Sequence, residues 1–325
     1  MSKMSPSRKS TLPESEEQAT LPHVPPVPSA ANICAVIVAY FPDEDFEARL
    51  KTILYQVGRL VIVDNTPEAI SLSPGMIDTW GERIHCITNH ANRGVASALN
   101  QGIEHALLRG FCWVLTLDQD TQCYPDMVVM LCSVYEHCNP KPAVVGSNYL
   151  DPRNRKPKVP VQGNGCLEQK TVITSGSLVN AKIALLIGGF LDDYFIDQVD
   201  HEFCLRLRAR GYRVVISREP VMAHSVGRPG GVGVPLLGIL PNHPPLRKYY
   251  IARNSVVTVA KYWRREPGWC LRRSVRLILG LLLMTTLEQQ RFAKARAFAA
   301  GFMDGVRYRM GPCNREWLCR ASKNP

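Results

Sequence analysis

Two aspartates close the apolar run Trp113–Leu117 as Asp118-Gln119-Asp120. Hard carboxylate oxygens at this spacing suit Mg2+ or Mn2+, which commonly binds one or two carboxylates together with phosphate oxygens. Asp64 ends the run Leu60–Val63 in the same way. Three further acids, Asp197, Asp200 and Glu202, fall in Phe195-Ile196-Asp197-Gln198-Val199-Asp200-His201-Glu202 at the start of an expected helix. One of them could take a proton from a hydroxyl as a general base. Acids also favour a helix N-terminus on electrostatic grounds alone, so position does not choose among the three. An isolated Asp-X-Asp reads as a solvated turn. Here it is accompanied by Arg93 ahead of a helix start, by the small-residue patch Thr174-Ser175-Gly176-Ser177, and by His224 in His224-Ser225-Val226-Gly227. Small residues would let a ligand approach closely.

These residues need elements to position them. Ile33–Ala39 is a continuous apolar, β-branched run, the pattern of a strand covered on both faces. Similar runs at Leu60–Val63, Ile84–Thr88, Trp113–Leu117, Ala143–Val145 and Tyr212–Ile216 predict further strands. Between them, Leu99, Ile103, Ala106 and Leu107 share one helical face after Gly94, with Gly110 beyond the helix end, and Pro125 opens another helix. Alternation at this pace predicts an α/β fold with a mostly parallel sheet. Ligands of such sheets sit beyond the carboxyl ends of the strands, which is where the acids fall. Tyr40, Phe41 and Pro42 follow the first strand with no Gly-X-Gly-X-X-Gly. That excludes the usual dinucleotide fingerprint and a Walker loop.

The 325 residues, 46% hydrophobic and 21% charged, have the composition of a globular protein and exclude a mainly disordered one. The net charge of +11 is concentrated: from Arg247 onward there are seventeen basic and four acidic residues. Such a tail fits a polyanion partner, nucleic acid or an anionic membrane, or simply a solvated basic face. No nucleic-acid-binding motif accompanies it, and no nucleic acid partner is expected. Leu277–Leu287 is apolar but has eleven residues, where a helical span needs about 20. Arg272, Arg273 and Arg276 precede it, and Arg291, Lys294 and Arg296 follow. The run fits either a helix lying on a bilayer with its basic groups toward headgroups or a helix buried in the protein. Residues 1–32, rich in Ser, Pro and Glu, suggest a disordered cytosolic leader. The eleven cysteines contain no Cys-X-X-Cys pair and are expected to be reduced thiols, without a zinc site.

In this order the motifs resemble glycosyltransferase family 2, over roughly Ile33 to Asn254. The wording FIDQVDHEFCLRLRARGY, with Asn242-His243 and Leu246-Arg247-Lys248-Tyr249-Tyr250-Ile251-Ala252-Arg253-Asn254, looks most like its rhamnosyltransferase branch. One departure is Leu191, where the family often has an acid directly after the phenylalanine. The resemblance implies a GT-A-like nucleotide-sugar-binding domain over 33–254, followed by a basic helical extension over 255–325. Tyr40 and Asp64 would flank the pyrimidine base, and Arg93 and Asn100 would line the nucleotide-sugar side. Asp118 and Asp120 would bind Mg2+ or Mn2+, with His224 as a further ligand. Asp200 would be the base, with Asp197 and Glu202 in support. The donor implied is dTDP-L-rhamnose. The acceptor implied is a glycolipid, either mono-rhamnolipid, toward which the 242–250 stretch and Met303-Asp304-Gly305 point, or an intermediate of O-antigen or other cell-surface polysaccharide assembly. The Leu277–Leu287 run and its flanking arginines would place such an enzyme peripherally on the anionic inner face of the cytoplasmic membrane.

Overall fold

The computed structural model describes residues 26–152, 156–162, 166–224, 232–234, 238–240 and 242–321. Residues 1–25 of the expected leader and the Ser225-Val226-Gly227 part of the histidine motif lie outside them. The strands are β1 (Ile33–Ala39), β2 (Arg59–Asp64), β3 (Ile84–Thr88), β4 (Trp113–Asp118), β5 (Gln122–Cys123), β6 (Val144–Leu150), β7 (Leu167–Glu168), β8 (Ser177–Asn180) and β9 (Val214–Ala223), with a separate hairpin of β10 (Val232–Val234) and β11 (Gly238–Leu240). The helices are α1 (Phe46–Leu54), α2 (Pro74–Trp80), α3 (Val95–Leu108), α4 (Met127–His137), α5 (Ala181–Leu186), α6 (Val199–Ala209), α7 (Pro245–Tyr262), α8 (Pro267–Leu287), α9 (Arg291–Val306) and α10 (Glu316–Ala321).

The sheet runs β3-β2-β1-β4-β8-β6-β9-β5, with β7 also on β9. The strands β3, β2, β1 and β4 pair in parallel, as do β6 and β9, while β8, β5 and β7 run antiparallel to their neighbours. The long strands are therefore mostly parallel, and their carboxyl ends share one edge. The apolar run of β1 is continuous because both faces are covered. Ala35, Ile37 and Ala39 join a core layer with Leu50, Ile53, Leu131 and Tyr135 of α1 and α4. Cys34 and Val36 point the other way, into a layer with Leu99, Ile103, Phe203 and Leu207 of α3 and α6.

Helix α7 runs unbroken across residue 254 and packs along α9. Gly301 allows that approach: a Cβ there would lie 2.2 Å from the Tyr249 carbonyl oxygen. Glu288 ties the group together, accepting from Lys248 Nζ at 2.6 Å and from Lys294 Nζ at 2.7 Å. On α8, Met284 is buried, with Leu277 and Leu281 packed beside it, but Leu271, Val275, Ile278 and Leu282 are exposed. The helix is neither wholly buried nor free. No helix among the described residues is long and apolar enough to cross a membrane. The cysteines depart from expectation at one place: Cys138 and Cys166 form a disulfide between the end of α4 and the start of β7. Their separation of 28 residues carries no signature, and only the return of the chain to the sheet brings them together.

Candidate active site

A cleft of about 710 Å³ opens beyond the carboxyl ends of β1, β4 and β9. Tyr40, Asp118, Gln119, Asp120 and His224 form its sheet side, the Asp197–His201 segment forms another wall, and Arg247, Lys248, Arg273, Arg276 and Gly280 come from α7 and α8.

Sheet register assembles the first group. Gln122 of β5 pairs with Ala223 of β9, which sets His224 beside the turn that follows β4. His224 Nε2 lies 3.9 Å from an Asp118 oxygen and Nδ1 3.9 Å from an Asp120 oxygen. One ligand atom from each of the three falls within 4.8 Å of the others. The middle residue of Asp-X-Asp, passed over in the sequence, holds the turn. The Tyr40 amide donates to Gln119 Oε1 at 2.6 Å, Gln119 Nε2 donates to the Tyr40 carbonyl at 3.1 Å, and Arg49 Nε donates to the Gln119 carbonyl at 2.8 Å. The Asp118 amide donates to Ser175 Oγ, which also bonds Thr121. The small-residue patch thus packs against protein: Ser175 is fully buried, and a Cβ on Gly176 would lie 2.7 Å from Ser147 Oγ. Only Thr174 of the patch reaches the cleft.

Burial raises the Asp118 carboxyl above its ordinary pKa, His224 opposes this, and the charges of Asp120 and Asp200 push it further up. Negative charge is therefore crowded here and undercompensated by protein. A cluster of two hard carboxylates and an imidazole in that condition fits a divalent cation.

The second wall is a strained stretch of chain. Phe195, Asp197 and Gln198 all have positive φ, at 62°, 63° and 63°. Non-glycine residues held so cost about 1–3 kcal/mol each and persist only where surroundings fix them. Asn254 of α7 does so, donating from Nδ2 to the carbonyls of Tyr194, Ile196 and Asp197, each at 2.8 Å. The Val95 amide donates to the Phe195 carbonyl at 2.7 Å, beside Gly94, where a Cβ would meet Phe195 at 2.7 Å. The segment presents both candidate bases differently. Asp197 faces Arg247, whose Nε lies 3.2 and 3.3 Å from its two oxygens. Burial raises the Asp197 carboxyl and Arg247 partly reverses this. Asp200, in the first turn of α6, accepts only the adjacent His201 amide at 2.8 Å among the described hydrogen bonds.

Four expected site residues lie elsewhere. Asp64 is fully buried, its oxygens accepting the Thr66 and Ile70 amides at 2.8 Å each, so it organises the loop after β2 and does not reach the cleft. Asn100 donates to the Phe190 carbonyl at 2.7 Å and Asp192 at 2.8 Å, and accepts the Phe190 amide at 2.7 Å. It clamps the loop before α6, with both amide N–H groups committed to that loop. Arg93 is exposed on the loop before α3, outside the cleft lining. Glu202 is buried among Arg206, Lys261 and Tyr262, an α6-to-α7 tie. Arg273 and Arg276, which face lipid headgroups in one of the two readings of this helix, line the cleft.

The family model for glycosyl transferase family 2 matches residues 34–184. The dTDP-rhamnosyl transferase RfbF of Shigella flexneri is 28% identical over 298 residues, covering 85% of this chain and 96% of its own. Among solved structures, the mannosyltransferase PcManGT of Pyrobaculum calidifontis, in complex with GDP-Man and Mn2+, superposes with a TM-score of 0.54 at 15% identity, over 85% of this chain and 87% of that one. The 1–349 fragment of S. aureus TarS gives 0.57 at 11% identity, over 86% and 82%. These likenesses show the fold. With the family match over β1 to α5 and a cleft at the strand ends, they make the chain a glycosyltransferase of the GT-A fold whose residues 34–184 resemble glycosyl transferase family 2.

Proposed function

We propose that the chain moves L-rhamnose from dTDP-L-rhamnose, with inversion, onto a hydroxyl of an amphiphilic glycolipid. The observation that carries the transfer chemistry is the placing of Asp118, Asp120 and His224 in one cleft with Asp200. The rhamnosyl donor is supported by the printed activity of the Shigella relative. Tyr40, at the mouth with Gln119 fixing its backbone, offers a ring to the base. Asp200 accepts the proton of the acceptor hydroxyl as its oxygen bonds to the anomeric carbon, and the bond from that carbon to the nucleoside diphosphate breaks. Asp197, committed to Arg247, positions the strained wall. Mg2+ or Mn2+ held by Asp118, Asp120 and His224 would neutralise charge gathering on the departing diphosphate. A transferase unit over about 33–254 and a helical extension over 255–325 belong to this reading, with α7 joining them.

The amphiphilic acceptor is supported by the exposed stripe Leu271, Val275, Ile278 and Leu282 on the helix that also lines the cleft. The same stripe supports peripheral contact with an anionic membrane. Two acceptors share this chemistry, mono-rhamnolipid and a lipid-linked saccharide of O-antigen or other cell-surface polysaccharide assembly. The relative's name supports the donor and mentions no rhamnolipid. Incubation with dTDP-L-rhamnose and each acceptor, read by mass spectrometry, decides: one added deoxyhexose on either acceptor is expected, and neither product with an active donor would sink the reading.

A further inference from the structure

The two sides of α8 do different things. Leu271, Val275, Ile278 and Leu282 recur at helical spacing on an exposed apolar stripe, whereas Arg273, Arg276 and Gly280 take the opposite side and line the cleft. Arg273 is anchored, its Nε and Nη2 donating to Ser255 Oγ of α7 at 3.0 and 2.7 Å. Among the described residues, no carboxylate comes within ion-pair distance of Arg273 or Arg276. Burial lowers Arg273 from its ordinary value, Asp197 and Asp200 oppose this, and Arg276 lowers it further. His201, whose buried Nδ1 has no hydrogen-bond partner, is lowered by burial and by Arg273, Lys158 and Arg276, against the opposing effect of Asp200.

Arg273 feels the charges of Asp197 and Asp200, and His201 follows Asp200 directly in α6. The cations therefore gather on the Asp200 and His201 side, where an acceptor hydroxyl has to lie for Asp200 to take its proton. Guanidinium groups suit phosphate and carboxylate oxygens through paired hydrogen bonds.

We propose that Arg273 and Arg276, with His201, form an acceptor-side subsite for an anionic head group, a phosphate or a carboxylate carried by the acceptor. This rests on the reading of Asp200 as the transfer site and adds to it the charge of the substrate. Arg273 and Arg276 hold the anion beside the base, and Gly280, with open space where a Cβ would lie, keeps the wall of α8 clear above it. The apolar stripe on the same helix is where the acceptor's tail, or the bilayer carrying it, meets the protein.

The test is direct binding, so that it does not depend on turnover. The full chain is saturated with dTDP and divalent metal, then titrated with monomeric dodecyl phosphate, dodecanoate or the uncharged dodecyl maltoside. Binding of an anionic probe is expected, at least tenfold weaker in Arg276→Ala and in Arg273→Ala. The dTDP affinity of each variant separates a folding loss from loss of the subsite. Preference for dodecyl phosphate assigns a phosphorylated acceptor, and preference for dodecanoate an acidic glycolipid. Equal binding of dodecyl maltoside, displacement of the probe by dTDP, equal binding of inorganic phosphate, no binding, or variants unchanged from wild type would each overturn the proposal. Intact anion binding without any rhamnosyl transfer would instead overturn the functional reading and leave the subsite standing.

Discussion

Asp197 and Asp200 are three residues apart and chemically identical, yet their surroundings separate them. Arg247 lies against both oxygens of Asp197, whereas Asp200 accepts its neighbour's amide and has His201 Nδ1 no nearer than 3.9 Å from that oxygen. A base must have a lone pair free for the substrate's proton, so the separation falls in favour of Asp200. Asp200→Asn is expected to bind dTDP like the wild type and to lose about 10²–10⁴-fold in transfer rate. Asp197→Asn should lose the Arg247 pair, destabilise the strained wall and raise KM more than it lowers kcat. Collapse of kcat in Asp197→Asn with near-normal turnover in Asp200→Asn would exchange the roles. Sequence spacing alone could not have made this distinction, because the partner Arg247 lies 50 residues away on α7. Asn100 and Asp64 show the same limit. Their types and positions were legible as polar groups near a ligand edge, but their hydrogen-bonding capacity is committed to loops that only tertiary structure brings to them.

Among the elements, the strands were the most legible, since a run buried on both faces, such as Cys34–Ala39, has to be continuously apolar. The C-terminal helices were less so. The arginines before Leu277–Leu287 read as a flank for lipid, and the packing of α8 on α7 turned two of them into the cleft. The contact of α9 with α7 rests in part on Asp304. It accepts from Tyr249 Oη at 2.9 Å and from Arg315 Nη2 at 2.9 and 3.0 Å. Burial works against its charged form, but the hydrogen bonds from Arg315 and Tyr249 prevail and hold the carboxyl below its ordinary value. A depressed folded value means that the stabilisation is complete above the ordinary carboxylate pKa near ~3.9. It is lost as pH falls through the lower folded value. Asp304→Ala is therefore expected to cost about 3 kcal/mol or less in urea unfolding at pH 7, the partly exposed Arg315 favouring the smaller figure. The gap from wild type should close in strong acid. An equal gap at pH 7 and well below pH 3 would mean that the carboxylate's charge contributes nothing.

At the scale of the whole molecule, a near-neutral sheet domain carries a basic helical cap, and the cap serves the cleft as well as the surface. The composition exposed this asymmetry; the division of labour between the faces of α8 needed the packing. The exposed apolar stripe is expected to bind anionic liposomes at low salt and to release them as salt screens the basic groups. Ile278→Asp with Leu282→Asp should abolish sedimentation with liposomes. Indifference of the wild type to anionic liposomes at low salt would remove the membrane from the account. The central claim is narrower: the cluster of Asp118, Asp120 and His224 makes nucleotide binding depend on a divalent cation. Calorimetric titration of dTDP into the protein, with Mg2+ or Mn2+ and then with chelator, tests it most directly. The account predicts strong binding with metal, weak binding without, and an Asp118→Ala variant that binds at the weak level in both conditions. Tight binding that ignores the metal, or a metal response unchanged in Asp118→Ala, would contradict it.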